Sequence, residues 1–360
     1  MKEKKVPNNL ELVIIAGTRP EVIKLSELVK SSFKAYKNAF LYTGQHYSKN
    51  MKDIFFDELE LQPDYDLRSD TSDVDILKDN IAKFLRAARP AYVIVYGDTN
   101  SSLAGALAAK DVNNCKLIHI EAGLRSFDMS MVEERNRIEI DNISHYLFAP
   151  TELSRNFLKY QDIEKNVFVT GNLIVDVCRK YSQFAELKER NDLPSEFILL
   201  TLHRAENVND PRILQTFATH LSRVKYRIVF PVHPQTTNNL AKYNIQLPDN
   251  VITINPLGYL DFLTMLKKCM LTLTDSGGIQ EEAVILGKPC ITLRNSTERW
   301  ETLFIKANRL FPLDPHQKNA SLNDIIEEML SARITVNPYG EGVTTYIKKL
   351  IDTLMSTTTM

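Results

Sequence analysis

The sequence predicts an α/β protein built from two doubly wound domains, and three observations carry that prediction. Short apolar, β-branched runs alternate with stretches of helical character along the chain. Such alternation implies parallel sheets covered by helices on both faces. The runs fall into two sets, six in the first half and five in the second. At 360 residues the chain is too long for one ordinary domain and comfortable for two.

In chain order the first set is Leu12–Ala16, Ala39–Thr43, Tyr92–Tyr96, Leu117–Ile120, Tyr146–Ala149 and Val167–Thr170. The second is Phe197–Leu202, Arg227–Val232, Val251–Ile254, Met270–Leu273 and Ile291–Leu293. A first domain is expected over 1–172, a polar linker over 173–195 (containing QFAELKERNDLP) and a second domain over 196–342. The amphipathic stretch Val343–Met355 is expected to be a final helix, with 343–360 folding back on the first domain.

Composition narrows the function classes. Apolar content of 44% and charged content of 25% are those of a globular protein. With 44 basic against 45 acidic residues, no global field favours nucleic acid or membrane, so an anionic ligand must be met by local arginines and helix ends. No run approaches the roughly 20 apolar residues that span a bilayer. The apolar core near the start, Leu12–Ala16, is too short for a signal peptide, and a cytoplasmic protein is expected. Cys115, Cys178, Cys269 and Cys290 are widely spaced within or beside apolar stretches, and read as buried free thiols.

Ligands of doubly wound sheets sit outside the carboxyl ends of the strands. The residues at those ends are rich in glycine and titratable groups, which argues for one cleft between the domains. Arg19, after the first run, is placed to bind an anion, with Pro20 opening a helix and Lys24 following as a second cation. Asp98 and Glu121 each stand just past a buried run. For Asp98 the plain alternative is a helix N-cap, and for Glu121 it is pairing with Arg125. Glu133 and Glu134 open a helix, where the dipole alone favours acids. Three carboxylate sites near one cleft invite acid–base chemistry.

His203 with Arg204, and less decisively His233, close strands of the second half. The set His46, His203 and His233 has no metal-ligand spacing, so no metal is expected. Thr274-Asp275-Ser276-Gly277-Gly278 lies between a strand and a helix. Glycines at a helix start let an anion approach free N–H groups and the helix dipole. Glu281 and Glu282 follow one turn later, within expected reach of ligand hydroxyls. The stretch reads as a cradle for a nucleotide diphosphate bearing a sugar.

Taken together, GTRPEVIKLSELV, TGQHY, YGDTNSSLAGALAA, HIEAGLRSFD, EERNR, LFAPTELSRNFL, VTGN, TLHRAENV, VHP, TDSGGIQEEAVILGKP and NPYGEGV resemble the non-hydrolysing UDP-N-acetylglucosamine 2-epimerase family, in family order and over nearly the whole chain. The resemblance implies a GT-B architecture of two Rossmann-like domains facing a cleft, a homodimer, no cofactor, and interconversion of UDP-GlcNAc and UDP-ManNAc. It implies acid–base roles for Asp98, Glu121 and Glu133, and groups steadying phosphates and leaving group at Arg19 and catalytic His203. Ser276, Gly277 and Gly278 match the phosphate cradle and Glu282 the carboxylate on the ribose. Arg137 and Arg294 match further sugar- or phosphate-side contacts, and Lys24 a basic group near the reacting centre.

The chain departs from the bacterial pattern at Val132, Ala205 and Trp300, and in Tyr47–Asn50, which follow Gln45 and His46. Rival readings are a hydrolysing 2-epimerase, a 2-epimerase of a related UDP-hexosamine, a GT-B glycosyltransferase and a nucleotide-sugar sensor without turnover.

Overall fold

The computed structural model describes residues 6–32, 36–45, 56–184, 193–314, 316 and 321–358. Backbone contacts divide the chain into two units, one of Met1–Val177 with Tyr339–Met360 and one of Cys178–Pro338. The expected segment 185–192 of the linker, and His46 with Tyr47–Asn50, lie outside the described residues, while Ile174–Phe184 is helical.

The first unit holds a parallel sheet of β1 (Leu12–Ala16), β2 (Asn38–Tyr42), β3 (Tyr65–Asp66), β4 (Tyr92–Tyr96), β5 (Lys116–Ile120), β6 (Tyr146–Ala149) and β7 (Val167–Val169). Their order is β3-β2-β1-β4-β5-β6-β7, so the winding reverses between β1 and β4. Every residue of β1 and β4 is buried, which is why these strands read as unbroken apolar runs. Alternate side chains serve opposite faces. Val13, Ile15, Val93 and Val95 join the core with Leu77, Ile81 and Leu85 of the helix Val74–Ala88. Over that face lies the helix Asn100–Lys110, whose Ser, Ala and Gly residues permit close approach. A Cβ on Gly105 would stand 3.1 Å from Val95 and 3.2 Å from Ile15.

The second unit repeats the plan with β8 (Ile198–Thr201), β9 (Ile228–Pro231), β10 (Val251–Ile254), β11 (Leu271–Thr274), β12 (Cys290–Thr292) and β13 (Asn308–Leu310), all parallel in the order β10-β9-β8-β11-β12-β13. One face packs Ile198, Leu200, Leu271, Leu273 and Ile291 on the helices Pro211–Ser222 and Leu322–Leu330. The other packs Leu199, Val229 and Cys290 with Met265 and Leu266 of the helix Tyr259–Lys268.

The α/β class and both parallel sheets agree with the sequence reading. The exceptions are β3 and β13, which the apolar runs did not announce. They are edge strands of two and three residues, with partly exposed side chains, so hydrophobic patterning leaves little trace. The last helix, Val343–Thr358, packs on the helix Arg19–Ser32. Its entry is tied by Asn172 N to Tyr339 O at 3.0 Å and Thr344 N to Asp176 Oδ2 at 2.7 Å. The four cysteines are free and buried, and burial pushes the Cys115, Cys269 and Cys290 thiols up to about 12. Among the described residues no helix is long and apolar enough to cross a membrane.

Candidate active site

In the first unit the titratable groups gather at the carboxyl ends of β1, β4 and β5. The turn after β1 is braced by a residue that the sequence reading did not single out. Glu21 accepts hydrogen bonds from Gly17 N at 2.9 Å, Thr18 N at 2.7 Å and Thr18 Oγ1 at 2.9 Å. It also accepts from Thr99 Oγ1 at 2.7 Å and Ser102 Oγ at 2.6 Å. The signal was present: Thr18-Arg19-Pro20-Glu21 is a capping box. Burial raises the Glu21 carboxyl above its usual value, although these donors pull it down. One side chain thus locks the Arg19 turn to the Asp98 turn, with Arg19 half-buried at the helix start.

Gly17 allows that close approach, since a Cβ there would overlap Ser101 Oγ and Thr43 Oγ1, which themselves hydrogen-bond at 2.7 Å. Gly17→Ala is expected to lower stability by about 1–3 kcal/mol, the usual cost of overpacking. Urea denaturation checks it; a loss below about 0.5 kcal/mol contradicts this packing.

Asp98 is not a helix N-cap. Thr99 takes that position, its side chain accepting from Ser102 N. Asp98 instead pairs with Arg137 of the helix Val132–Ile143, and Asn136 Nδ2 donates to its carbonyl at 3.0 Å. Arg137 is buried and also meets Glu134 at 2.5 Å. Glu134 accepts from Ser126 N, Ser126 Oγ and Phe127 N, so it fastens the preceding loop, while Glu133 stays half-buried.

Glu121 is 5% exposed, while the Arg125 guanidinium pairs with Asp141. Its partners are Lys24 Nζ at 2.7 Å and the Tyr96 hydroxyl at 2.5 Å, both on Oε2. Its backbone is left-handed, with φ of 72°, a conformation that side chains rarely adopt and that recurs at functional sites. A Cβ on Gly97 would lie 3.6 Å from Glu121 Oε1, which puts Glu121 next to the residue before Asp98.

Behind these turns sits a second buried set missed in the sequence. His119 Nδ1 lies 2.7 Å from Asp141 Oδ1, and Nε2 meets Gly97 O at 2.8 Å. Arg125 NH2 pairs with Asp141 Oδ2 at 2.7 Å, and Gly123 N donates to the same oxygen at 3.2 Å. Burial pushes the Asp141 carboxyl up, but His119 and Arg125 outweigh it and hold it below its usual value. A histidine inside a strand and an aspartate inside a helix gave no periodic sign of meeting.

In the second unit Asp275 is fully buried at the end of β11. It accepts from His203 N at 3.0 Å, Arg204 N at 2.8 Å and Asn207 Nδ2 at 3.1 Å, and lies 3.3 Å from His203 Nδ1. The HRAEN loop is thereby bound to the glycine turn, with the His203 ring exposed and 6.4 Å from His233. Burial, aided by His203, lowers the His233 value. Ser276 is the N-cap of the helix Gly277–Ile285 without a side-chain cap bond. A Cβ on Gly278 would meet nothing within 4 Å, whereas one on Gly277 would overlap Glu298 Oε1.

Glu298 is held by Arg294 NH1 at 3.1 Å, and Arg299 meets Glu281 at 2.5 Å. Glu281 is therefore engaged in an interior ion pair, because the helix aims successive residues to different sides. Glu282 and Arg294 are buried too. Among the described residues no group of three or more His, Cys, Asp or Glu could hold a metal ion. The geometry provides carboxylates with cationic partners in one unit, and a helix N-terminus without a side-chain cap beside a histidine in the other.

The pattern of UDP-N-acetylglucosamine 2-epimerases matches residues 31–354. The chain belongs to the UDP-N-acetylglucosamine 2-epimerase family. It is thus an isomerase of the GT-B fold type. It is 42% identical over 354 residues to the UDP-N-acetylglucosamine 2-epimerase of Methanococcus maripaludis, covering 91% of this chain and 94% of that one. The crystal structure of the Methanocaldococcus jannaschii UDP-GlcNAc 2-epimerase, in complex with UDP-GlcNAc and UDP, is similar with a TM-score of 0.88 at 40% identity, covering 96% of this chain and 99% of that one. The chain is also 38% identical over 314 residues to a UDP-2,3-diacetamido-2,3-dideoxy-D-glucuronate 2-epimerase of Pseudomonas aeruginosa, over 84% of this chain and 88% of that one.

Proposed function

We propose that this protein interconverts UDP-GlcNAc and UDP-ManNAc at C2, by eliminating UDP and adding it back. The observation that carries the reading is the buried Lys24–Glu121–Tyr96 set one turn from the Asp98–Arg137 pair. The C2 proton has no carbonyl beside it, so its removal must be coupled to departure of a good leaving group.

A carboxylate of the first unit takes the C2 proton. The C2–H electrons form a C1=C2 double bond, and the C1–O bond breaks with its electrons on the β-phosphate of UDP. The product is bound 2-acetamidoglucal. A proton then returns to C2 from the opposite side, and the UDP oxygen re-forms the bond to C1. Asp98, Glu121 and Glu133 supply the acid and base roles. Arg19, His203 and the N–H groups of Ser276, Gly277 and Gly278 take up charge on the departing diphosphate. Lys24, Arg137 and Arg294 contribute cations, and Glu282 takes ribose hydroxyls. The same reading makes the enzyme a cytoplasmic homodimer without cofactor, its assembly testable by analytical ultracentrifugation.

In deuterated water, the UDP-ManNAc formed from UDP-GlcNAc is expected to carry deuterium at C2. Proton NMR reads product, label and any hydrolysis together; unlabelled product would falsify the route. Free ManNAc as the only sugar product would select the hydrolysing reaction instead. A second reading, a 2-epimerase of a diacetamido uronate nucleotide, is supported by the Pseudomonas relative. Parallel assays with both sugar nucleotides separate the two by kcat/KM.

A further inference from the structure

The Tyr96 hydroxyl gives and takes no proton in the proposed route, yet it meets Glu121 directly. It ends β4, where the register pairs Tyr96 with Ile120, and so it arrives beside Glu121. Tyr96, Lys24 and Glu121 are 2%, 5% and 5% exposed. Lys24 Nζ lies 2.7 Å from Glu121 Oε2, the Tyr96 hydroxyl 2.5 Å from the same oxygen, and the ammonium stands 5.3 Å from the centre of the Tyr96 ring. The phenol has a second neighbour, Asn172 Oδ1 at 3.2 Å, which also accepts from Ile174 N at 3.1 Å. A phenol has one proton, and the shorter contact to a carboxylate is where it goes. Two donors on one oxygen suit an ionised carboxylate and exclude a proton from that oxygen.

We infer that Tyr96 is a positioning residue for the C2 chemistry: with Lys24 it holds Glu121 ionised and pins its Oε2 at the end of β4. The inference rests on the epimerase reading of Glu121. Among the described contacts, Glu121 is faced by Lys24 from the helix Arg19–Ser32 and Tyr96 from β4. Nearby, Asp141 of the helix Val132–Ile143 engages His119 and Arg125, and Asp98 after β4 engages Arg137.

Tyr96→Phe removes one oxygen and keeps the ring that packs there. Carbon-13 NMR of the Glu121 side-chain carboxyl, assigned by its loss in Glu121→Gln, is expected to titrate about one pH unit higher in Tyr96→Phe than in the unaltered protein. Coincident midpoints overturn the inference, because a purely packing role leaves them unmoved. With UDP-GlcNAc, kcat of Tyr96→Phe is expected to fall about tenfold, with KM within twofold and the acidic limb of kcat/KM displaced upward, as loss of a donor to a charged base predicts. Unchanged kcat with an unmoved limb also overturns it. An unaltered protein that fails to turn over UDP-GlcNAc defeats the epimerase reading instead, and the carboxyl titration still decides whether Tyr96 governs Glu121.

Discussion

Glu121→Gln is expected to lower the turnover of UDP-GlcNAc by at least about 10²-fold, while the protein stays folded. The replacement is nearly isosteric, so the left-handed turn and the packing around it are retained. What changes is charge: Oε2 now meets Lys24 and Tyr96 as an amide, and no side-chain oxygen at this position can accept a proton from C2. A positioned acid or base contributes about 10²–10⁴-fold, and 10²-fold is about 2.7 kcal/mol of barrier. Asp98→Asn and Glu133→Gln are expected to fall in the same range if all three carboxylates touch the reacting sugar. Initial rates by proton NMR decide this, with circular dichroism to verify folding. Turnover within tenfold of the unaltered enzyme would remove Glu121 from the proton-transfer step.

The largest effect on stability is expected at Asp141, which takes no step in the proposed reaction. Its carboxylate neutralises Arg125 and binds His119 in a fully buried place. Asp141→Asn leaves a buried guanidinium beside an amide, and breaking one side of such a pair typically costs about 3–5 kcal/mol. The sign with pH follows from the lowered carboxyl. In the folded protein Asp141 titrates below its ordinary value of 3.8, so its contribution is complete above that value. It is lost as pH falls through the folded value. The stability gap between the unaltered protein and Asp141→Asn is therefore expected to be widest near neutrality and to shrink below about pH 4. Calorimetric melting at several pH values measures it, and a gap that widens on acidification would contradict the assignment. Because His119 also holds Gly97 O, the variant should lose activity along with stability.

The residues at the strand ends were legible because a buried parallel strand leaves a plain apolar run, and whatever follows it emerges on one side of the sheet. Asp98, Glu121, His203 and Ser276 were found in this way. Partner choice was not legible. Glu121 had Arg125 four residues away as its obvious cation, yet it pairs with Lys24, 97 residues earlier. Asp98 looked like a cap, yet it pairs with Arg137, 39 residues later. Both choices depend on which helix faces the fold brings to the carboxyl ends of β4 and β5. Periodicity reports that a helix exists and which stripe is apolar, not which neighbour meets it.

The amino-acid order by itself determined the class of the fold, the family and the strand-end turns proposed to carry the chemistry, since local patterning and glycine placement are properties of contiguous residues. Tertiary structure alone decided which charges are neutralised and by what. It set Glu21 as the brace between two turns, gave Arg125 to Asp141 and Glu281 to Arg299, and brought Tyr96 onto Glu121. The physical reason is that ion pairing inside a protein is settled by distance and desolvation, and those come into being only when remote segments are packed together.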